Sequence, residues 1–197
     1  MPKSAVWIGT LVLAASAICV SATAPRGWRV AGSKAQEYEA GIEQVSVVLQ
    51  TPEGEAGGSG YPTAYLRCKR KSVEGFGTLM QRFSAAEYAG QRLRFTAFVR
   101  TDQVQYRAGL WMRIDTSDFS KLANMGDQPI QGTTAWRRYG IVLDVPKGVH
   151  RIAFGVLLAG SGTVWMNRVE VEAIDPATPG NGIQPVRGPV NLDFEQR

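Results

Sequence analysis

The stretch RLRFTAFVR, residues 92–100, decides the fold of this chain. Its apolar residues alternate strictly with polar or charged ones, apart from Phe98, which is typical of a β-strand with one buried face and one solvated face. GFGTLMQRF, residues 75–83, alternates in the same way, with Phe76, Thr78, Met80 and Arg82 on one side and Leu79, Gln81 and Phe83 on the other. The first run predicts a half-buried strand, and the second predicts another strand.

Similar short runs continue in both directions and are separated by Gly, Pro, Asn and Asp. We predict further strands at residues 28–30, 38–42, 43–50, 64–68, 108–115, 136–145, 149–158 and 163–174. Residues 84–90 favour one short helical turn, and residues 115–134 are predicted to be mostly loop. Because about eight or nine strands occur with no strand–helix alternation, the sequence predicts an all-β fold, an antiparallel β-sandwich of jelly-roll type.

The N-terminal segment has the pattern of an export signal. Lys3 precedes an apolar run from Ala5 to Val20, and small residues follow at Ala22 and Ala24. We therefore predict a signal peptide over residues 1–24, with an uncleaved signal anchor as the alternative. The sandwich is assigned to residues 25–175, and residues 176–197 form a Pro/Gly-rich tail that is not expected to pack.

The composition limits the possible chemistry. The chain of 197 residues has 44% hydrophobic and 20% charged residues and a net charge of +5, as expected for one folded domain with scattered basic residues. Export leaves Cys68 as the single cysteine, and His150 is the only histidine. We expect no cofactor, no metal site and no catalytic triad, and hence no enzyme activity.

One strand offers a candidate binding surface. Trp111, Arg113 and Asp115 share one face of residues 108–115, and a flat indole beside charged groups suits a polar ligand such as a sugar. Asn124 and Gln81 are expected to lie nearby. The alternatives are that Trp111 fills the core, that Arg113 pairs with Asp115, and that Asn124 satisfies backbone groups.

Two further tryptophans are interpreted as structural. Trp165 alternates with Asn167, Val169 and Val171, which favours a core position. Trp136 begins a strand and is expected to seal an edge of the sandwich.

The ordered segments also resemble a known domain family. They comprise Trp28, Tyr38 and Gly41, followed by residues 75–101, 108–115, 124–146 and 152–172. This pattern resembles a bacterial galactose-binding-like jelly-roll domain, similar to the region that precedes erythromycin-esterase-like and other hydrolase domains. The chain departs from that pattern at Asn167, where such domains carry Asp.

These observations lead to a functional expectation. We expect a non-catalytic exported binding module, periplasmic or secreted, whose partner is a carbohydrate or another polar envelope polymer. The alternatives are a structural or protein-interaction sandwich and a hydrolase accessory domain. Nucleic acid is not expected as a partner, and a membrane is expected only with an uncleaved N-terminal segment.

Overall fold

The computed structural model describes residues 18–21, 23–45, 61–174 and 192–194. Two short 3-10 turns, Ala35–Glu37 and Ala86–Tyr88, accompany ten strands, and the second turn lies inside the predicted helical turn. The strands are β1 Ile18–Ser21, β2 Arg29–Ala31, β3 Tyr38–Val45, β4 Thr63–Cys68, β5 Phe76–Ser84, β6 Arg92–Thr116, β7 Ser120–Asn124, β8 Ile130–Asp144, β9 Val149–Ala159 and β10 Thr163–Ile174.

The ten strands form a β-sandwich joined through β6, which is 25 residues long. The first half of β6 pairs with β10 and β8, and the second half pairs with β9 and β7. Beyond these partners, one layer continues through β4 and β3 to β1, and the other continues through β5 to β2. All pairs are antiparallel, so the predicted all-β jelly-roll class is confirmed.

The core lies between the two layers and follows the predicted alternation. Leu93, Phe95, Ala97 and Val99 are fully buried in the first half of β6, and Leu110, Met112 and Ile114 are buried in the second half. The Phe154 ring lies at the centre, with its centroid 5.1 Å from Phe95 and 5.5 Å from Trp28 in edge-to-face arrangements.

The predicted loop at residues 115–134 is wrong in part. It contains β7 and the first residues of β8, while residues 117–119 and 125–129 remain outside strands. β7 is a five-residue edge strand whose side chains are exposed or half-buried. An edge strand that contributes little to the core has no alternating pattern to reveal it.

Both ends of the described chain pack on the sandwich. Ile18–Ser21 lies within the predicted signal segment and pairs with β3, while residues 1–17 are outside the described residues. Phe194 lies in the predicted tail, yet it is buried with its ring 5.4 Å from that of Trp28. No helix in the described part of the chain is both long and apolar enough to span a bilayer. The boundaries at residues 24 and 175 remain predictions.

An irregularity in β10 changes which side chains face the core. The register shifts between Asn167 and Glu170, and Arg168 takes a left-handed φ of 46°. Val164 and Met166 face inward before this bulge, whereas Val169 and Val171 face inward after it. Trp165 is therefore on the outer side of its sheet, where it is buried as predicted at 8% exposed but does not belong to the core cluster between the layers.

Candidate functional site

The outer face of the β2–β5–β9–β6–β7 layer contains the candidate site, and we call it the groove face. The strand register places Met80, Gly155, Trp111 and Asn124 in one row across this face. Gly155 has no side chain and is buried, and the indole of Trp111 reaches across β9 to Thr78 on β5. An open channel lies beside Met80 and Trp111, which both line it.

The channel has a volume of about 370 Å³. This volume lies within the range of about 300–1,000 Å³ that is typical of small-molecule sites. Most of the lining is apolar, and Arg29, Arg107 and Arg113 stand around it; the apolar side chains include Phe76, Met80, Trp111, Leu122, Met125 and Leu157. The site therefore combines apolar walls with positively charged groups.

Trp111 forms one wall and is fixed in orientation. Its indole Nε1 donates a hydrogen bond of 2.7 Å to Thr78 Oγ1, and Thr78 in turn donates to the carbonyl oxygen of Val156 at 2.8 Å. Because the indole edge is hydrogen-bonded, binding a ligand against its face requires little further ordering of the side chain. Trp111 is half-buried.

The short segment after β7 bounds the groove beside Trp111. Met125 packs over Gly109, where an added Cβ would lie 3.1 Å from the Cβ of Met125. The Met125 backbone N–H donates to the Leu110 carbonyl at 3.2 Å. Asn124 accepts a hydrogen bond of 2.9 Å from the Gly126 N–H through Oδ1, which is the backbone-satisfying role considered for it above.

Arg113 and Asp115 form an ion pair on the groove face. Arg113 Nε lies 2.9 Å from Asp115 Oδ1, and Ser120 donates to the same oxygen at 2.7 Å. Burial alone would raise the pKa of the Asp115 carboxyl, but the hydrogen bonds from Ser120 and Arg113 and the positive charges of Arg113 and Arg151 lower it below its ordinary value. Asp115 is thus held ionised.

The structure separates the predicted site residues into three groups. Trp111, Arg113 and Asn124 line the groove together. Asp115 is on the same face but does not line the groove. Gln81 was expected nearby and is instead on the inner side of β5, 3% exposed and paired in register with the core residue Phe154, so this expectation is wrong.

Arginine side chains around the groove were not predicted from the sequence. Arg29 is on β2, Arg82 on β5 and Arg151 on β9, and all three are exposed on the groove face. They are far apart in the chain and come together through strand pairing. The alternation around Arg82 placed it on one side of β5, but the order of the strands was needed to find its neighbours.

The opposite outer face is built differently, and we call it the paired face. Arg100 lies over Trp165 and Trp136, with its guanidinium carbon 4.0 Å and 5.4 Å from the ring centroids. Glu43 accepts a 2.9 Å hydrogen bond from Trp165 Nε1 and lies 3.7 Å from Arg100 and 3.6 Å from Arg67. The positive charge of Arg100 is thus balanced by Glu43, and its guanidinium group is covered by two indole rings.

Other predicted features occupy structural positions. Asn167 is fully buried and donates to Thr63 Oγ1 at 3.0 Å, and Cys68 is a buried free thiol. His150 is exposed at the start of β9. Within the described residues, His, Cys, Asp and Glu side chains do not gather in threes as a metal site would need.

The fold defines the chain as a jelly-roll β-sandwich, and comparison with solved structures agrees. The enzymatically active domain of tailspike protein 4 from bacteriophage CBA120 matches with a TM-score of 0.52 and 13% identity, covering 76% of this chain and 20% of that one. The xylan-binding CBM22-1 domain of Paenibacillus barcinonensis Xyn10C matches with a TM-score of 0.48 and 11% identity, covering 83% and 100%. At such low identity the tailspike match shows the shared fold alone.

A comparison of sequences gives a nearer relative. The uncharacterised HTH-type transcriptional regulator YbfP of Bacillus subtilis (strain 168) is 39% identical over 178 residues, which is 87% of this chain and 57% of that protein. The chain therefore spans little more than half the length of this curated relative. No family model matches the chain. The predicted resemblance to the region before hydrolase domains remains a prediction.

Proposed function

We propose that this chain is a non-catalytic binding module whose groove beside Trp111 takes a carbohydrate or another polar component of the cell envelope. The observation that carries the proposal is the indole of Trp111, which is held by Thr78 and forms a wall of an open groove. Sugar rings have apolar faces that pack on aromatic rings and hydroxyl groups that need hydrogen-bond partners. The groove offers both kinds of contact.

Polar groups at the groove provide the hydrogen-bond partners that the hydroxyl groups of a sugar require. Arg113 supplies guanidinium N–H donors, and Asn124 supplies an amide whose Nδ2 is a further donor. Both lie beside the indole in the strand register, Asn124 directly opposite Trp111 and Arg113 two residues further along β6. A ligand stacked on Trp111 would therefore have donors within reach of its ring substituents.

The proposal includes no catalytic step. The described residues that line the groove contain no carboxylate, histidine, cysteine or serine. Thr78 is the one hydroxyl among them, and it already donates to Val156 and accepts from Trp111. This lining supports retention of a ligand rather than its conversion.

The proposed location is outside the cytoplasm, on the strength of the apolar run after Lys3. A second candidate function follows from the relative in Bacillus subtilis, which is named as a transcriptional regulator. A helix-turn-helix reads DNA with α-helices, whereas the described residues here form strands and short 3-10 turns. In this second candidate the sandwich is the effector-binding part, and the same groove holds the effector.

Binding of the full chain to a glycan array and to soluble envelope polysaccharides tests the proposal. The full chain is used because Ile18–Ser21 pairs with β3. We expect saturable binding that falls at least about tenfold in Trp111→Ala, since a stacked aromatic anchor commonly contributes more than 1.4 kcal/mol. Trp136→Ala removes an indole from the paired face and is expected to bind like the wild type.

A second variant tests the groove in case Trp111→Ala fails to fold. Leu122 is 55% exposed and lines the groove, so Leu122→Asn is expected to preserve the fold while weakening binding. A folded wild type that binds no glycan would overturn the carbohydrate proposal. Fractionation of producing cells separates the two candidates, because the exported module is recovered outside the cytoplasm and the effector-binding part is recovered inside.

A further inference from the structure

The charge distribution on the groove face indicates what kind of ligand it takes. The outward residues of its strands include five arginines but one carboxylate, Asp115; the arginines are Arg29, Arg82, Arg107, Arg113 and Arg151. Like charges on adjacent strands repel one another. A surface with this imbalance attracts anions.

The strand register brings three of these arginines close together; Arg29 and Arg113 line the groove, and Arg82 is on the same face just outside its lining. Arg82 and Arg113 both pair with Ala153, one from each side, so a single strand with a small side chain separates them. Arg29 pairs with Met80, two residues before Arg82 on the same face of β5. Adjacent strands lie about 4.8 Å apart, so the Cα atoms of Arg82 and Arg113 are about 10 Å apart.

Most of this charge has no counterion among the described residues. Arg113 is paired with Asp115. No described carboxylate lies within 4.0 Å of Arg29 or Arg82, and the contact that Arg29 makes is one of 4.0 Å from Nη2 to the Met80 sulfur. Desolvation, and then the positive charges of Arg29, Arg151 and Arg113, lower the pKa of Arg82 against the opposite effect of Asp115, which agrees with an excess of positive charge at this site.

We infer that the ligand of the groove is an acidic saccharide, whose carboxylate or sulfate group is bound by Arg29, Arg82 and Arg113 while its ring packs on Trp111. This inference rests on the proposed carbohydrate function and specifies the class of ligand. Planar guanidinium groups match oxyanions with paired, charge-assisted hydrogen bonds. The apolar walls next to these groups require a ligand that also has an apolar face, which a free inorganic anion lacks.

Matched pairs of charged and neutral saccharides test the inference. Calorimetry measures binding of the full chain to oligogalacturonate and to its methyl ester, and to sulfated dextran oligosaccharide and unsulfated dextran of equal length. We expect at least one acidic form to bind about tenfold or more tightly than its neutral counterpart, with affinity falling as salt rises. The pair that shows the difference identifies the oxyanion.

Charge-removing variants locate the effect. Arg82 is exposed, so Arg82→Gln is expected to fold normally and to weaken binding of the acidic saccharide about five- to tenfold with little effect on the neutral one. Arg29→Gln is expected to act in the same direction. Arg138→Gln removes the same charge from the paired face and is expected to leave affinity unchanged.

The outcomes separate the inference from the proposed function. Equal binding of acidic and neutral forms, both lost in Trp111→Ala, would overturn the inference and leave the carbohydrate function intact. Failure of every saccharide to bind the folded protein would overturn both. If a single-stranded oligonucleotide of similar charge binds as tightly as the acidic saccharide and equally in Trp111→Ala, the groove face is a general polyanion surface and the inference is wrong.

Discussion

The two outer faces of the sandwich use arginine in opposite ways. On the paired face, arginines from β4, β6 and β8 each lie within 4.0 Å of a carboxylate; they are Arg67, Arg92, Arg94, Arg100 and Arg138. On the groove face, Arg113 alone has such a partner among the described carboxylates. The same residue type thus serves as part of the structure on one side and leaves excess charge on the other.

This difference in charge pairing separates a face whose charged groups are satisfied within the chain from a face whose charged groups are largely not. On the paired face, Glu43 and the stacked rings satisfy Arg100, and Trp165 is buried beneath it. The groove face keeps unneutralised charge beside an apolar channel, although that arrangement contributes repulsion to the folded state. Unsatisfied groups of this kind are typical of a surface that completes its contacts with a ligand.

The largest expected effect concerns a glycine on each face. A Cβ at Gly155 would lie 2.1 Å from the Leu79 carbonyl oxygen, so Gly155→Ala must push β5 and β9 apart. A Cβ at Gly140 would meet the Thr96 methyl at 3.0 Å, which a side chain can relieve. We expect Gly155→Ala to lower the free energy of unfolding by about 1–3 kcal/mol and Gly140→Ala by less than about 1 kcal/mol.

Urea unfolding of both glycine variants measures this difference. Equal losses would show that β5 can shift away from β9 as easily as a threonine side chain can turn. The two faces would then be equally tolerant of added volume.

The next prediction removes one charge from each face. Glu43 binds two arginines and accepts from an indole, with a side chain 14% exposed. Glu43→Gln is expected to reduce stability by about 1–2 kcal/mol, because hydrogen bonds to a charged group are the stronger ones. Arg82→Gln is expected to stay within about 0.5 kcal/mol of the wild type or to be slightly more stable, since it relieves repulsion.

Thermal and chemical unfolding of the two charge variants, at low and high salt, compares them directly. A clear loss of stability in Arg82→Gln would mean that Arg82 has a structural partner in the folded chain. The difference drawn between arginines with a carboxylate partner and arginines without one would then be contradicted.

The smallest expected effect is a pH dependence at Asp115. Its folded-state pKa is lower than the ordinary 3.8, so its contribution to stability is present above that value and is lost as the pH falls through the lowered pKa. Asp115 is partly exposed, and we expect the wild type to exceed Asp115→Asn by less than about 1 kcal/mol at pH about 6 and by almost nothing at pH about 2.

The comparison with Asp115→Asn at each pH removes the contribution of the other carboxylates. A difference between the two proteins that grows as the pH falls would contradict the direction of the shift. It would show that the Arg113–Asp115 pair does not stabilise the fold.

Strand positions and facing were predictable where one face of a strand is buried. Leu110, Met112 and Ile114 point inward and Trp111 and Arg113 outward, as the alternation required. Burial of one face of a strand requires apolar residues at alternate positions, so the pattern is visible in the sequence. Trp111 and Arg113 were therefore correctly placed on one outer face, whereas Asn124 was predicted to lie in a loop and comes beside them through the pairing of β7 with β6.

The failures have local physical causes. The single face assigned to Trp165 and Val169 was wrong because a bulge at Arg168 shifts the alternation, and no glycine marks that bulge in the sequence. Gln81 was correctly set opposite Thr78 and Met80 on β5, but a polar residue on the inner side was not expected. The arginine cluster depends on which strands are neighbours, and pairing between distant segments leaves no short-range signal.

Strand pairing across long stretches of chain also affects how the protein is made. β4 at Thr63–Cys68 pairs with β10 at Thr163–Ile174, and β5 pairs with β9. On the ribosome β4 emerges about a hundred residues before β10, and β5 emerges about seventy-five residues before β9, at roughly 5–20 residues per second. Their edges and apolar sides remain open for several seconds, so the nascent chain depends on protection from aggregation until β10 completes the sandwich.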